Sequence, residues 1–158
     1  MSAKSVRFRE MTEEEYAAYY EFNIQNYARE RARHFKRPLE EELKTAKEQV
    51  AALLKEGLHT KGHFICEIVD AEGSEAVGHI WYYVDEAKKT AFLYDIMVEE
   101  RLRGKGYGKA ALDELESRLR QMIIRQVALH VFADNKIAVS LYEKQGYYIA
   151  SHNMQKDL

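Results

Sequence analysis

Apolar side chains in the first third of the chain recur every three or four residues, the period of an α-helix. Thr12 stands three residues before Glu15, the capping-box pattern that begins a helix. The apolar positions that follow are Tyr16, Tyr20, Ile24 and Tyr27. A second helix is predicted from Pro38, which suits a first helical turn, towards a cap at Gly57. Its apolar face comprises Leu39, Leu43, Ala46, Val50 and Leu53.

After Gly57 the period of the pattern changes from helical to two, which is typical of half-buried strands. Three strands are predicted, at "HFICEIVD" (63–70), "AVGHIWYYVD" (76–85) and "TAFLYDIMV" (90–98). The segments between them, "AEGSE" and "EAKK", have the composition of hairpin turns. The run "SVRF" near the N-terminus also alternates and predicts a short first strand.

The second half of the chain alternates between helical and strand patterns. A helical stripe of Leu112, Leu115, Leu119 and Met122 precedes "VALHVFA" (127–133), an apolar run typical of a strand covered on both faces. "NKIAVSLYEKQG" (135–146) predicts a short helix, and "YYIA" and "NMQKDL" predict closing strands. The predicted order is β-α-α-β-β-β-α-β-α-β-β, an α+β domain in which an antiparallel meander runs into a βαβ unit.

Length and charge narrow the class of protein. The 158 residues suit one domain, and 24 basic against 26 acidic residues argue against a nucleic-acid-binding protein. The single cysteine, Cys66, excludes an internal disulfide and suits a reducing cytoplasm. The N-terminal "MSAKSVRFRE" lacks the apolar stretch of a signal peptide, and no apolar run approaches the roughly 20 residues that span a bilayer. We therefore expect a cytoplasmic protein that has neither membrane nor nucleic-acid partners.

The stretch "EERLRGKGYGKAA" (99–111) lies between a predicted strand and a predicted helix. Its glycines, at positions 104, 106 and 108, let the backbone approach a ligand closely, so several N–H groups can point into one concavity. The positive end of the helix dipole lies at the same place, and Arg101, Arg103, Lys105 and Lys109 add charge. This combination favours a pyrophosphate-binding loop.

Two familiar phosphate-binding motifs were compared with this loop. The Walker A pattern G-x-x-x-x-G-K-S/T fails, because the spacing from Gly104 to Gly108 is one residue short and Ala110 takes the hydroxyl position. The dinucleotide fingerprint fits Gly106, Gly108 and Ala111, with Asp134 as a candidate ribose ligand. However, "EERLR" separates the motif from its strand, and about 25 residues remain after Asp134, too few to complete a doubly wound sheet. A dinucleotide-binding protein therefore remains a remote alternative.

The same residues resemble the GNAT family of N-acetyltransferases. Residues 103–108 match the family signature R/Q-x-x-G-x-G/A, and "LHVFADNKIAVSLYEKQGY" (129–147) is similar to its strand-Asn-helix-Tyr segment. The closing "SHNMQKDL" resembles the usual final strand of bacterial members. The resemblance implies a mixed, mostly antiparallel sheet flanked by helices. It also implies one N-acetyltransferase domain over residues 1–158, with substrate-side helices in 1–60 and an acetyl-CoA-binding core in 91–146.

The resemblance also implies a binding site for acetyl-CoA as cosubstrate. In this family the strand before the loop splays from its neighbour, so its main chain can pair with the pantetheine arm; here this implies Ile96, Met97 and Val98. Asn135 and Tyr142 would contact the cofactor beside the last helix. The pyrophosphate would lie on the main-chain amides of the loop residues, which are Arg103, Gly104, Lys105, Gly106, Tyr107, Gly108 and Lys109.

For the chemistry, the resemblance places Tyr142 at the position of the family's general acid. A phenol is protonated at neutral pH and can supply a proton to the departing CoA thiolate. The candidate bases are His130, on the predicted strand of the βαβ unit, and Asp95, at the splay; a water wire is a third option. No metal is expected, because His59 and His63 lie on a predicted loop without a nearby acid.

The expected activity is the transfer of an acetyl group from acetyl-CoA to a primary amine by direct attack. Peptide N-termini, protein lysines, polyamines, aminoglycosides and small amine metabolites all remain open as acceptors, and a homodimer is an option that the family offers. The main alternative is a non-catalytic acyl-CoA-binding or regulatory module of the same fold.

Overall fold

A five-stranded sheet organises residues 3–158, the part of the chain that this computed structural model describes. The strands are β1 (Val6–Glu10), β2 (His63–Asp70), β3 (Ala76–Asp85), β4 (Thr90–Val98) and β5 (Gln126–Leu129). The helices are α1 (Glu13–Phe35), α2 (Leu39–Leu53), α3 (Tyr107–Gln121) and α4 (Lys136–Lys144). Short 3-10 turns lie at Gly57–His59 and Glu100–Leu102. None of the described helices is long and apolar enough to cross a membrane.

The strands lie side by side in chain order, from β1 at one edge to β5 at the other. The first four strands are antiparallel to their neighbours, and β5 runs parallel to β4 after the α3 crossover. The predicted α+β class with a mostly antiparallel sheet is therefore confirmed, as are the predicted bounds of the three central strands.

Helices cover both faces of the sheet, and each face has its own apolar core. The helices α1 and α2 pack on the face that carries Ile65 and Trp81. The helix α3 packs on the opposite face, where Leu112 and Leu115 are fully buried among side chains of the central strands. The two N-terminal helices and the crossover helix thus approach β4 from opposite sides.

Local sequence chemistry sets the helix starts. Thr12 Oγ1 accepts a hydrogen bond from the Glu15 N–H (3.1 Å), and Glu15 Oε1 accepts one from the Thr12 N–H (2.9 Å). This capping box confirms the prediction and satisfies two donors that the helix cannot bond itself. Pro38 is the N-cap residue of α2, and Gly57 opens a 3-10 turn at a φ of 65° and does not cap α2.

The two closing strands predicted at residues 147–150 and 153–158 are wrong. This segment contains no strand, and Tyr148, Ile149 and Met154 remain exposed. With no buried face, nothing fixes a strand register for them. Instead, Asp157 binds Lys36 Nζ (2.8 Å), and the Gln155 amide donates to the Phe35 carbonyl (3.2 Å). Side chains therefore anchor the segment to the end of α1.

The strand predicted at residues 127–133 is shorter than expected. It ends at Leu129, not at residue 133, and only Val127 and Leu129 are partly buried, so one of its faces is open. Beyond it, Phe132 stacks on His34 of α1 with ring centroids 3.8 Å apart. We attribute the early end of β5 to this contact, which draws the chain towards α1.

Candidate functional site

The glycine loop before α3 has the backbone shape that its sequence predicts. Gly104 and Gly106 adopt φ angles of 77° and 97°, the left-handed region that side chains rarely occupy. Gly106 is the N-cap of α3 and supplies no side-chain cap. Within the described chain, no hydrogen bond uses the N–H groups of residues 104–109. The loop therefore offers a set of free donors at the positive end of a helix.

Several side chains of the loop, unlike its main-chain N–H groups, already have partners within the protein. Arg101 binds Glu75 (2.6 Å), and Lys109 binds Asp113 (2.9 Å). The Tyr107 ring is buried in the core, and its hydroxyl donates to an acid on β2. Two of the predicted loop cations, Arg101 and Lys109, are therefore paired with carboxylates of the protein itself.

The strand β4 extends beyond its partner β5. Their pairing ends at Leu93 and Leu129, whereas β4 stays paired with β3 as far as Val98. The pairing therefore ends after Leu93, at the place where the resemblance puts the splay. Asp95, Ile96 and Val98 lie in the part of β4 that has no partner on the β5 side.

The open edge of β4 presents main-chain groups in a defined alternation. The Glu99 N–H donates to the Val77 carbonyl (2.8 Å), and such bonds recur at every second residue of an antiparallel pair. Met97 therefore directs its main chain to β3, while Ile96 and Val98 direct theirs to the open side. Of the three residues predicted for the pantetheine arm, these two have the required orientation.

The Val98 carbonyl already has a partner on that open side. Arg103 Nε donates a 2.9 Å hydrogen bond to it, so the loop arginine folds back onto the strand. A ligand that pairs with this carbonyl would have to displace the guanidinium.

Asp95 lies in a cluster of polar side chains from three elements. Its Oδ2 accepts a 2.7 Å hydrogen bond from the Tyr19 hydroxyl and a longer one, 3.5 Å, from the Asn23 amide. His79 Nε2 lies 2.9 Å from the same oxygen, an ion-pair distance, although the contact is not aligned as a hydrogen bond. All three contacts fall on one oxygen, which leaves Oδ1 of a partly exposed carboxylate without a described protein partner.

Tyr19, Asn23 and His79 were not among the site residues predicted from the sequence. A signal existed for each of them. Tyr19 and Asn23 are spaced i,i+4, so they share one side of α1. His79 alternates with the buried Trp81, which places both side chains on the face that α1 covers.

Tyr142 lies on α4 and is electrostatically coupled to Asp95. Burial, and then the negative charge of Asp95, raise the pKa of Tyr142 to about 12. The phenol is therefore protonated throughout the neutral range, as a general acid must be. Asn135 is the N-cap of the same helix, where its side chain accepts from the Ala138 N–H (3.3 Å).

The described neighbours of His130 are Arg31, His34 and Phe132. The prediction that it belongs to a strand is wrong, because β5 ends one residue earlier. Burial lowers the pKa of His130, and the charges of Arg31 and His34 lower it further. Its ring lies edge-on to Phe132, 4.9 Å between centroids. Its electrostatic neighbours thus belong to the C-terminal half of α1.

Asp134, the candidate ribose ligand of the dinucleotide alternative, is engaged elsewhere. Its carboxylate binds His34 Nε2 (2.6 Å) and Arg33 (3.1 Å) at the end of α1. The 3-10 turn Glu100–Leu102 also separates the glycine loop from β4. Both observations count against a dinucleotide fingerprint.

The histidines of the HxxxH pair have separate partners. His59 faces Glu10 and Glu13, each at 3.4 Å, whereas His63 Nδ1 lies 3.0 Å from the indole nitrogen of Trp81. Over residues 3–158 no group of three or more His, Cys, Asp or Glu side chains could hold a metal ion.

Comparison with known proteins agrees with this geometry. The sequence model of the acetyltransferase (GNAT) family matches residues 9–147. The chain is 33% identical to the uncharacterized N-acetyltransferase YdgE of Bacillus subtilis, over 94% of this chain and 96% of that protein. It is also similar to the crystal structure of YycN from the same organism, with a TM-score of 0.90 and 33% identity over 98% and 99% of the two chains.

A spermidine N-acetyltransferase from Vibrio cholerae, solved with CoA and spermine, shares the fold at a TM-score of 0.67. Its sequence identity is 16%, over 98% of this chain and 87% of that one, so the likeness concerns the fold alone. The family match and the two Bacillus relatives decide the class: the protein belongs to the GNAT family of acetyltransferases. Enzymes of this family are acetyl-CoA-dependent acyltransferases, and this chain is one of them.

Proposed function

We propose that the protein transfers the acetyl group of acetyl-CoA to a primary amine, with Tyr142 as general acid and Asp95 as the group that receives the amine. The observation that carries the proposal is the placement of three features along β4. The free amides of the glycine loop follow its end, and the main chain of Ile96 and Val98, which faces away from β3, precedes them. The Val98 carbonyl is held by Arg103, and the Asp95 carboxylate lies where the β4–β5 pairing ends.

The residues present fit acetyl-CoA. Left-handed glycines at positions 104 and 106 leave the loop main chain accessible, so the amides of residues 104–109 would hold the pyrophosphate. The arm would pair with Ile96 and Val98 along the open edge of β4, and Asn135 and Tyr142 would lie beside it. The thioester would then lie near the end of the β4–β5 pairing, where the charge of Asp95 acts on Tyr142.

The proposed chemistry uses the two groups in opposite roles. An ammonium must lose one proton before its nitrogen can attack, and Asp95 is placed to accept that proton. Attack forms the C–N bond, and collapse of the tetrahedral intermediate breaks the C–S bond. The phenol of Tyr142 stabilises the developing thiolate and protonates it, and the second proton of the nitrogen replaces the one given away. The products are an acetamide, CoA thiol and one released proton.

Asp95 is favoured over His130 as the proton acceptor. Asp95 influences Tyr142 electrostatically, whereas the neighbours of His130 are Arg31 and His34. A single experiment compares the two: Asp95→Asn and His130→Gln are assayed for CoA release with the same amine. We expect the larger loss of turnover, about 10²-fold, in Asp95→Asn. A larger loss in His130→Gln would reverse the assignment.

The activity itself is tested by thiol release. Purified protein is incubated with acetyl-CoA and a panel of primary amines of different size and charge, and free CoA thiol is measured. Release above the amine-free background with at least one class of amine supports the proposal. A protein that binds acetyl-CoA and releases no thiol with any amine would be a binding module.

The dinucleotide alternative needs a second measurement. Thermal shifts are recorded with CoA and with NAD at equal concentration, because a ligand that binds the native state raises the melting temperature. We expect stabilisation by CoA alone. Stabilisation by NAD without CoA would instead favour the dinucleotide-binding alternative.

A further inference from the structure

Charged and titratable side chains cross the sheet in a row beneath α1. Arg9 on β1 is opposite Glu67 on β2, and Glu67 is opposite His79 on β3. His79 is opposite Met97, so Asp95 lies on the diagonal, two residues back along β4. We call Arg9, Glu67, His79 and Asp95 the polar row.

The polar row lies on one face of the sheet, and this follows from strand geometry. Side chains two residues apart in a strand point to the same side, and directly opposed residues have Cβ atoms about 5 Å apart. His79 alternates with Trp81, whose ring belongs to the core beneath α1 and α2. On this apolar face a line of four polar residues is unusual, because buried polar groups are costly unless they are paired.

His79 is the centre of the row and has a carboxylate on each side. Its Nε2 is buried and lies 2.9 Å from Asp95 Oδ2, while Glu67 is directly opposite on the neighbouring strand. Tyr19 and Phe22 of α1 cover the ring edge-on, at centroid distances of 4.6 and 5.8 Å. The imidazole thus contacts Asp95 directly, lies opposite Glu67 without a direct contact, and is partly covered by aromatic rings.

Glu67 has the properties of an intermediate proton carrier. Burial raises its pKa, the charge of Glu15 raises it further, and the charges of His79 and Arg9 act in the opposite direction. Glu99 adds a smaller effect that also raises it. A carboxyl whose pKa is raised towards neutral accepts and releases protons more readily at physiological pH.

The far end of the row reaches solvent. Arg9 is 44% exposed and binds both carboxylate oxygens of Glu15, at 2.9 and 3.0 Å. The row therefore runs from the splay, at Asp95, to the water-exposed edge strand. Arg9 stays protonated, so the partly exposed Glu67 is the last member of the row that can release a proton to solvent.

We propose that His79 relays the proton that Asp95 takes from the acceptor amine to Glu67, which releases it to solvent. The inference rests on the proposed function and adds positioning residues to it. The imidazole takes the proton at Nε2, facing Asp95, and gives one up at Nδ1 to a water that passes it to Glu67, because the two side chains lie opposite each other without direct contact. The first transfer regenerates the Asp95 carboxylate, and the second regenerates the neutral imidazole. One proton leaves per acetyl group transferred, in balance with the net reaction.

The test uses His79→Gln with acetyl-CoA and the best amine of the panel. Gln can still donate to Asp95 but cannot carry a proton. We expect kcat/KM to fall about 10²-fold at pH 7 and the loss to shrink as pH approaches the pKa of the amine, where free amine is already abundant. Added imidazole should restore turnover of the variant in a concentration-dependent way, with acetyl-CoA affinity unchanged.

His152→Gln provides a matched control, because His152 lies exposed in the C-terminal segment, outside the polar row. It should retain wild-type kinetics and show no response to imidazole. Glu67→Gln provides a second variant, with the same pH-dependent loss expected, in case His79→Gln does not fold.

Three results would overturn the relay. A loss in His79→Gln that is constant with pH and insensitive to imidazole would assign His79 a purely structural role. Wild-type kinetics in both variants would remove the row from catalysis, while the wild-type turnover would leave the proposed function intact. Absence of turnover in the wild type with every amine would overturn both proposals together.

Discussion

The Tyr19 hydroxyl on α1 donates a 2.7 Å hydrogen bond to Asp95 Oδ2 on β4. Residues 76 positions apart are thereby joined at the point where β4 and β5 separate. Burial and the Asp95 charge raise the pKa of Tyr19 well above its ordinary value, so it is a permanent donor. The first helix therefore fixes the orientation of the carboxylate that we propose receives the amine.

Removing this donor should lower both stability and turnover. Tyr19→Phe leaves Asp95 without its shortest hydrogen bond, and we expect a stability loss of about 1 kcal/mol in urea unfolding. We expect kcat to fall more than KM rises, because a misplaced acceptor group slows proton removal. Tyr20→Phe is the control, because the adjacent Tyr20 has no described hydrogen bond. It should change neither the stability nor the turnover. Equal effects in the two variants would contradict a specific role for Tyr19.

Tyr142→Phe should lower turnover far more than acetyl-CoA affinity. Loss of the phenolic proton removes general-acid assistance, so we expect kcat to fall about 10²-fold. The dissociation constant for acetyl-CoA should change by less than about 3-fold. Tyr147→Phe is the matched control, because burial also raises the pKa of Tyr147 to about 12 and its ring lies 5.6 Å from that of Tyr142. Parallel losses of kcat and affinity in Tyr142→Phe would argue against the acid role.

Gly106→Val should abolish CoA binding in a folded protein. The residue has a φ of 97°, where a β-branched side chain is strained, and it would project at the start of the proposed phosphate cradle. Calorimetric titration with CoA measures the loss. Gly146→Val carries the same strain, at a φ of 97° and in open space, but lies outside the loop. The control should be destabilised by a similar amount and should still bind CoA.

Gly78→Ala should destabilise the centre of the sheet. A Cβ at this position would overlap the Met97 carbonyl oxygen, so the β3–β4 pair would have to move apart. Overpacking of this kind costs about 3 kcal/mol, which urea unfolding would detect. Gly73→Ala, where a Cβ meets nothing within 4 Å, should have little effect on the unfolding midpoint. A neutral Gly78→Ala would show that the two strands are not packed as described.

Stability should fall as pH rises through the pKa of His34. Burial by itself lowers this pKa, but hydrogen bonds to Asp134 and to the Glu30 carbonyl outweigh it and raise the pKa above its ordinary value of 6.5. Arg33 opposes the rise. Both ring nitrogens face oxygens, at 2.6 and 2.8 Å, so both bonds require the protonated ring.

A histidine with a raised folded-state pKa stabilises the fold fully below its unfolded pKa, near 6.5, and loses that contribution above the folded value. The free energy of unfolding should therefore decrease between about pH 6 and pH 8. His34→Gln should flatten this slope when unfolding is measured at several pH values. His130, whose pKa is lowered, contributes to the pH dependence of stability in the opposite direction. The slopes with and without His34→Gln are therefore best compared in proteins that also carry His130→Gln. An unchanged slope in His34→Gln would contradict the assignment.

The central strands and the glycine loop were predictable because their signals are local. The strands at residues 63–70, 76–85 and 90–98 were predicted with the bounds that the structure shows, since period-two alternation is visible within each segment. Glycines at positions 104 and 106 marked backbone that needs a left-handed conformation, and both adopt it. Thr12 and Glu15 similarly marked a helix start three residues apart.

The ends of β5 and of the chain were not predictable from local pattern. An apolar run continues to residue 133, but the strand ends at Leu129. Beyond it Phe132 stacks on His34, and Asp134 forms an ion pair with Arg33. These partners are about 100 residues away in sequence, so no window of neighbouring residues contains the signal. The predicted closing strands failed for the same reason, because side-chain contacts to the end of α1 hold that segment.

The sequence by itself determined the periodicity of each element, the glycine loop and the family, because these depend on residues close together in the chain. The tertiary structure alone decided which polar side chains meet. Helix placement and strand register bring Tyr19 and His79 into contact with Asp95. Strand register also places Glu67 opposite His79. A shift of one residue in register would move each side chain to the other face of the sheet. Chemistry that requires contacts between side chains of different elements is therefore determined by the tertiary structure and not by any one segment of the sequence.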